Sequence, residues 1–437
     1  MKKMIALLLS LIMVLSIAAG ACAEKSYQTL AGYDLSHTVI NYWNYITGPD
    51  NECLTRHIEK FNAENPYGIT IKQDSMAGDV LDEKLPVALQ SGTGPQLLTC
   101  GLTTAALAKQ GMILELSDIF DYPELGVSRD NYIDGLLDIL TYEGGLYAMP
   151  FYIGVTFMFW NKDVYRMAGL DPEKPPRTWD EMYDFCNIIK EKLGDQGYYG
   201  LCFPYGLFFS IFDMMASYGG RMITIDPETN LYKNELYSDE NINALRIWKR
   251  FYDEGLNPVV GNDNLFYSGI IANHISGPWA GGNAEKEYGI DVGYGLAPGG
   301  DAGSMYFCSV VNMNVTNNCK TIEEKLACYA WIAYWNSVDP CVDFSLSNYS
   351  PVYLKEALKD ERVINDSKLA SVSDFEGRTA WNYVPNGFTM AGDVISEMTS
   401  MFEAIALGGD IEECLKKASD GLDKIVEQAN AERQADK

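Results

Sequence analysis

Short apolar runs alternate along this chain with stretches in which apolar residues return every three or four positions, and that alternation predicts its elements. Thr38–Trp43 (TVINYW) reads as a first buried strand. Leu54, Ile58 and Phe61 then fall at helical spacing, the helix ends at Asn65-Pro66, and Ile69–Ile71 makes a second strand. Strand, helix, strand is a βαβ unit and predicts a parallel sheet. A helix over Leu81–Leu89 stops in Ser91-Gly92-Thr93-Gly94-Pro95, a strand follows at Gln96–Cys100, and a helix over Thr103–Lys109 is closed by Gly111. Farther on, Tyr198–Phe203 reads as a strand, Leu207–Ala216 as a helix and Asp226–Lys233 as a polar hairpin. Ile242, Leu245, Trp248 and Tyr252 mark a helix face. Phe307–Val315 is a strand, Ile322–Trp335 an apolar helix, and Ile411, Leu415, Ala418, Leu422 and Val426 an amphipathic closing helix.

The rest of the pattern is organised around Gly144–Met182. Gly144-Gly145 is a turn signal between two strand-forming runs. Leu146–Trp160 is rich in aromatic and β-branched residues, with Pro150 marking a break in any ladder. A helix opens at Asn161 and Lys162-Asp163 and stops at Gly169, Pro175-Pro176 is a stiff connector, and Thr178 with Glu181 has the spacing of a capping box. A strand leaving one sheet for another here predicts a hinge between two lobes. Pro298-Gly299-Gly300 and Leu346–Pro351 (LSNYSP) are the second and third candidate crossings. No internal repeat interrupts the order.

Length and charge sharpen this picture. One hydrophobic core rarely fills 437 residues, so two domains are expected. The formal charge of -27 argues against nucleic acid or an anionic membrane as partner and leaves sugars, cations and basic peptides. Residues 1–23 read as an export signal: Lys2 and Lys3, an apolar Ile5–Ala19 interrupted by Ser10 and Ser16, then small residues. Two readings of its end stay open, cleavage after Ala21-Cys22-Ala23 or a lipobox Ala19-Gly20-Ala21-Cys22 that places a lipid on Cys22. No second apolar run of membrane length follows, so the mature chain is expected at the cell surface, in the periplasm or outside the cell, soluble or lipid-anchored. Nine cysteines lie beyond the signal, scattered, odd in number and without a CxxC pair, which is no disulfide framework.

The stretch YEGGLYAMPFYIGVTFMFWNKDVYRMAGLDPEKPPRTWDEM resembles the central signature of the bacterial extracellular solute-binding proteins of the sugar-transporter type. IEKFNAENPYGITIK resembles that family's opening, and Phe266–Ile275 with Gly277-Pro278-Trp279 resembles a later motif in which His274 stands where the family prefers methionine. The resemblance extends over essentially the whole mature chain. It implies an α/β, two-lobed, periplasmic-binding-protein-like fold (type II). Residues 24–150 plus about 303–345 would form the N-terminal lobe, and 151–302 plus about 346–437 the C-terminal lobe. It implies capture of a small solute between the lobes, delivery to an ABC permease in the membrane, no cofactor, and a monomer. Gln96 stands where the family usually has an aspartate, which puts an acidic ligand contact there in doubt.

The chemistry of the residues agrees with binding more than with catalysis. HExxH, GxSxG, the phosphate-binding GxxxxGK[ST] loop and GxGxxG are all absent from the sequence, and its three histidines (His37, His57, His274) form no metal-ligand spacing. His57 reads as a solvated helix residue and His274 as a satisfied core or rim histidine. Sugars need flat aromatic platforms flanked by amides, hydroxyls and carboxylates. Trp43, Asn44 and Tyr45 follow the first strand, where open α/β sheets place ligands. Phe151 and Tyr152 lie at the proposed hinge. The resemblance adds Gln96 and makes Trp279 a stacking position, with Trp381 and Asn382 in a polar segment completing the candidates. Each aromatic also has a packing reading. Trp160, Trp179, Trp248, Trp331 and Trp335 read as core. A carbohydrate is the expected solute. A peptide or polyamine on the same fold, a secreted carbohydrate-active enzyme, and a sensor subunit are the alternatives.

Overall fold

The computed structural model describes residues 27–100, 104–203, 206, 208–259, 261–373 and 379–435, without the side chains of Asp79, Ser371 and 379–381. The signal and Cys22 lie outside the described residues. Two principal sheets hold ten strands, numbered here in chain order. They are β1 Val39–Asn44, β2 Thr70–Ser75, β3 Leu97–Thr99, β4 Met149–Val155, β5 Phe157–Asn161, β6 Tyr199–Cys202, β7 Ile271–Ser276, β8 Val292–Gly295, β9 Met305–Val315 and β10 Thr379–Trp381.

In the first sheet β1 pairs in parallel with β2 and β3, as the opening βαβ unit predicts, with Tyr42 opposite Leu97 and Gln73. The long β9 then runs antiparallel to β3 and β4 and parallel to β10. In the second sheet the order is β6-β7-β5-β8, and only β6 and β7 are parallel. The apolar run 149–161 is buried along nearly all its length, the mark of strands covered on both faces. It is not one strand. At Thr156 the chain leaves the first sheet and enters the second. The Thr156 hydroxyl donates to the Asp213 carboxylate and accepts the Phe307 N–H at 3.2 Å. The second crossing is the loop between β8 and β9, where Gly299 N–H bonds the Arg177 carbonyl and Trp179 N–H the Gly299 carbonyl.

Local signals place the elements around these crossings. Asn161 caps the helix Lys162–Ala168 by accepting from the N–H groups of Asp163 and Val164, and Gly169 closes it at φ 79°. Thr178 Oγ1 accepts from Glu181 N–H at 3.2 Å, but the Glu181 carboxylate turns to Arg177 N–H at 2.7 Å, so only half the expected capping box forms. Thr321 and Glu324 make a complete one at the head of Ile322–Trp335. Pro150, lacking an N–H, coincides with a ladder irregularity: β9 pairs Val311 with Tyr152 and then Asn312 with Pro150, skipping Phe151.

Two large clusters of buried side chains form the core. Helix Ile322–Trp335 and helix Val338–Asn348 cover the first, and that cluster reaches across the hinge to Phe157, Phe159 and Ala280. Trp179, Trp248, Met398, Phe402 and Leu422 belong to the second, under the helices Ala391–Ala406 and Ile411–Ala435. Val352–Val372 belong to the first cluster, which also takes in Phe159, Cys202, Ile271 and Val292 of the second sheet, and Tyr383–Ala429 belong to the second cluster. At Leu346–Pro351, read as a crossing, Tyr349 packs edge-on to Tyr294 of β8, and the helix Ser367–Ser373 farther on also lies against β8. All nine cysteines among the described residues are free.

Candidate ligand-binding cleft

Between the two sheets lies a cavity of about 370 Å³ that adjoins a second of about 270 Å³. Both are lined by Tyr45, Phe307, Ser309 and Val311, so they are compartments of one cleft. Their walls follow from strand periodicity. Phe307, Ser309 and Val311 stand at alternate positions of β9 and share a face. Tyr152 and Gly154 do the same on β4. A Cβ on Gly154 would stand 2.8 Å from Ser309 Oγ, so a side chain there would displace the Ser309 hydroxyl from the cleft wall. The far wall comes from the other lobe: Phe209, Gly277, Trp279 and Asn283. Trp279 lies against the backbone of Gly277, where a Cβ would fall 2.1 Å from its ring.

The loop after β1 supplies Tyr45, Ile46, Thr47 and Gly48, and the first turn of the following helix supplies Asp50. This is the carboxyl end of a parallel strand, where such sheets present ligand contacts. Asn44 is buried and faces away from the cavity. Its Oδ1 accepts from Ile46 N–H and Ser75 Oγ, bending the loop that carries Tyr45.

Asp50 is the charged side chain among the described residues of the larger compartment. Burial pushes its carboxyl up to about 6, against donation from Asn348 and Ser347 and the nearby Lys286. The Ser347 hydroxyl lies nearer the Phe344 carbonyl, at 2.7 Å, than Asp50 Oδ1, at 3.4 Å, so that oxygen retains accepting capacity. Burial raises the Tyr45 and Tyr152 hydroxyls far above the ordinary tyrosine range, so both stay protonated donors. In the second compartment Thr104 Oγ1, Asn312 Oδ1 and Asn382 Oδ1 are buried with no hydrogen-bond partner among the described residues.

The sequence-predicted residues therefore separate. Tyr45, Tyr152, Trp279 and Asn382 line the cleft. Trp43 lines neither compartment; it packs against a small satellite cluster, with Lys84 Nζ 4.2 Å over its ring. Gln96 accepts from both Asn41 nitrogens, at 3.0 and 3.2 Å, and ties β3 to β1 outside the cavity. Phe151, at the ladder irregularity, turns into the first core and stacks on Trp335 with ring centres 4.5 Å apart. Trp381 closes β10, and its side chain lies outside the described ones. Asp50, Asn283, Phe209, Phe307, Ser309 and Thr156 are cleft residues that pattern reading missed. The period-two face of β9 and the Gly48-Pro49-Asp50 helix start were the available signals. No group of three or more histidine, cysteine or acidic side chains is placed to hold a metal among the described residues, and no described helix is long and apolar enough to cross a membrane.

Comparison with known proteins matches residues 57–371 to the family described as bacterial extracellular solute-binding protein. A Brucella abortus (strain 2308) protein named only as a binding protein is 26% identical, over 97% of this chain and 99% of its own length. The sn-glycerol-3-phosphate-binding periplasmic protein of Escherichia coli (strain K12) is 26% identical over 37% of each chain. Among solved structures, an ABC transporter solute-binding protein of Thermotoga lettingae, bound with α-D-tagatose, superposes with a TM-score of 0.75 at 19% identity, over 89% of this chain and all of the other.

Proposed function

The chain belongs to the bacterial extracellular solute-binding proteins, and on that premise we propose that it captures an uncharged carbohydrate in the cleft and hands it to an ABC permease. The observation that carries the solute class is the lining. Tyr45, Tyr152, Phe209, Trp279 and Phe307 offer apolar ring faces beside hydroxyl and amide groups, with one carboxylate and no lysine or arginine among the described lining residues. A phosphate ester, the solute named for the E. coli relative, would want a cation there. A polyamine would want more than one carboxylate. A glycosidase would want two carboxyl groups across the scissile bond, and Asp50 stands alone among the described lining residues of either compartment. The second compartment, continuous with the first, leaves room for a solute longer than one ring, hence an oligosaccharide.

Closure about Thr156 and the β8–β9 loop would bury the solute between lobes and create the face the permease reads. Residues 1–23 would direct export, with Cys22 as the lipid site if the signal is processed there, and the mature protein would act as a monomer. A thermal-shift screen of residues 24–437 against neutral mono- and oligosaccharides, sn-glycerol 3-phosphate, spermidine and peptides tests the solute class. Solute at 100 times its dissociation constant adds about 2.7 kcal/mol. The expected result is a shift with a set of neutral saccharides, recovered unhydrolysed. A shift with glycerol phosphate or spermidine and none with any sugar contradicts the proposal.

A further inference from the structure

Trp279 does not offer its indole N–H to the cleft. Nε1 donates to Asp263 Oδ2 at 2.8 Å, so the polar edge of the ring is turned to Asp263. Asp263 opens the short helix Asp263–Tyr267, ahead of β7, and its other oxygen is equally engaged. Oδ1 accepts from His274 Nε2 at 2.8 Å and from Ser276 Oγ at 2.9 Å. His274 and Ser276 are two apart on β7 and point to the same face, which is how one strand aims both at one carboxylate.

The protonation of this set follows from its acceptors. His274 Nδ1 lies 2.9 Å from the Cys202 carbonyl and Nε2 lies against the Asp263 carboxylate. Both oxygens only accept, so both ring nitrogens must donate, and the side chain is an imidazolium. His274 has no exposed surface, and the ring of Phe266 stacks on it at 5.2 Å. Burial alone would drive the proton off, but the bonds to Asp263 and Cys202 prevail and hold the imidazole above its ordinary range, to about 10. Asp263 is likewise held below its ordinary range: burial raises it, and the His274, Trp279 and Ser276 donors more than compensate. His274 is fully buried while Asp263 keeps 21% of its side chain exposed, so the imidazolium is costly unless the carboxylate stays in place beside it.

We propose that Asp263 is the positioning residue of the aromatic platform, fixing the plane of the Trp279 indole for stacking and being fixed itself by His274 and Ser276. This rests on the reading of the cleft as a saccharide receptor, and it goes further by assigning the platform's rigidity to an ion pair behind the wall. A stacking surface that is already immobile loses little freedom when solute arrives, which is where its affinity would come from.

The test has an arm that needs no sugar. In wild-type protein labelled with nitrogen-15, the Trp279 indole N–H is assigned by its loss in Trp279→Phe. The expected signal exchanges slowly with solvent, and Asp263→Ala, which leaves no acceptor, speeds that exchange about tenfold or more, the equivalent of one lost hydrogen bond. A Trp279 N–H that exchanges as freely as an exposed indole in the wild type, or is unchanged in Asp263→Ala, overturns the proposal. In the second arm Asp263→Ala weakens saccharide binding about tenfold, yet adds little loss in a Trp279→Phe background, because the two act through one ring. Full additivity overturns it. If Asp263→Ala leaves the buried imidazolium unable to fold, Asp263→Ala with His274→Gln removes both charges together and is read the same way. Wild-type protein that binds no saccharide would sink the receptor reading and leave the first arm standing, so the two failures are told apart.

Discussion

At the scale of single residues two titratable side chains, Asp50 in the cleft and His274 behind its wall, respond to pH in opposite senses. Asp50 faces the cavity with its carboxyl raised to about 6. A solute hydroxyl donating to it favours the charged form, so bound solute lowers this value and affinity should tighten as pH rises through about 6. Calorimetric titration below and above that value should show the trend in the wild type and not in Asp50→Asn. His274 behaves in the opposite sense. Its folded value of about 10 lies above the ordinary 6.5, so its contribution to stability is full below 6.5 and is lost as pH rises through about 10. Melting temperatures measured across that window should fall in the wild type, and this part of the fall should be missing in His274→Gln. Pattern reading reached Trp279 through its Gly-Pro loop and Tyr152 through the hinge, and it took Trp179, Trp248, Trp331 and Trp335 as core, where each is at most 1% exposed. It could not orient neighbours. Trp43 lies within β1 and Tyr45 just beyond its end, where the loop breaks the alternation, and Phe151 and Tyr152 part at the ladder irregularity opposite Asn312. His57, read as solvated, is buried, bonded through Nδ1 to Tyr334 and paired through Nε2 with Asp343, because helices from both ends of the first core close over it.

At the scale of elements the turn and capping signals were the most legible part of the chain. Helix Ile322–Trp335 has the bounds its apolar pattern predicts, and the parallel βαβ opening forms as read. The run Leu146–Trp160 hid where it changes sheets, since both strands are buried and both read as nearly continuous apolar sequence. The marker is Thr156, a buried polar residue in that run, 2% exposed. Its hydroxyl joins the two crossing strands to Asp213 of helix Phe208–Ser217. Thr156→Val removes that donor and acceptor from a buried site and should cost about 2 kcal/mol in chemical denaturation, while Thr156→Ser should retain most of the stability.

At the scale of the molecule the lobes also meet away from the hinge. Lys109, ending the helix Thr104–Lys109 of the first lobe, pairs at 2.5 Å with Glu432 of the closing helix, and each is about a third exposed. Such a pair is worth about 1 kcal/mol at most and is screened by salt. Lys109→Glu should shift the lobes toward the open form in small-angle scattering and weaken solute binding by about fivefold or less, and Lys109→Glu with Glu432→Lys should restore both. The two-lobed plan and its family were legible in the sequence because hinge, caps and turn residues recur in a fixed order. The solute was not, because it depends on which side chains of β4 and β9 face Phe209, Trp279 and Asn283 across the cleft.

The most direct test is calorimetric titration of the saccharide selected by screening into wild-type protein and Trp279→Ala. The account predicts saturable one-to-one binding, with a loss of about 2 kcal/mol, some thirtyfold, in Trp279→Ala, and saccharide recovered intact. Equal affinity in the two proteins, or saccharide consumed during the titration, would contradict it.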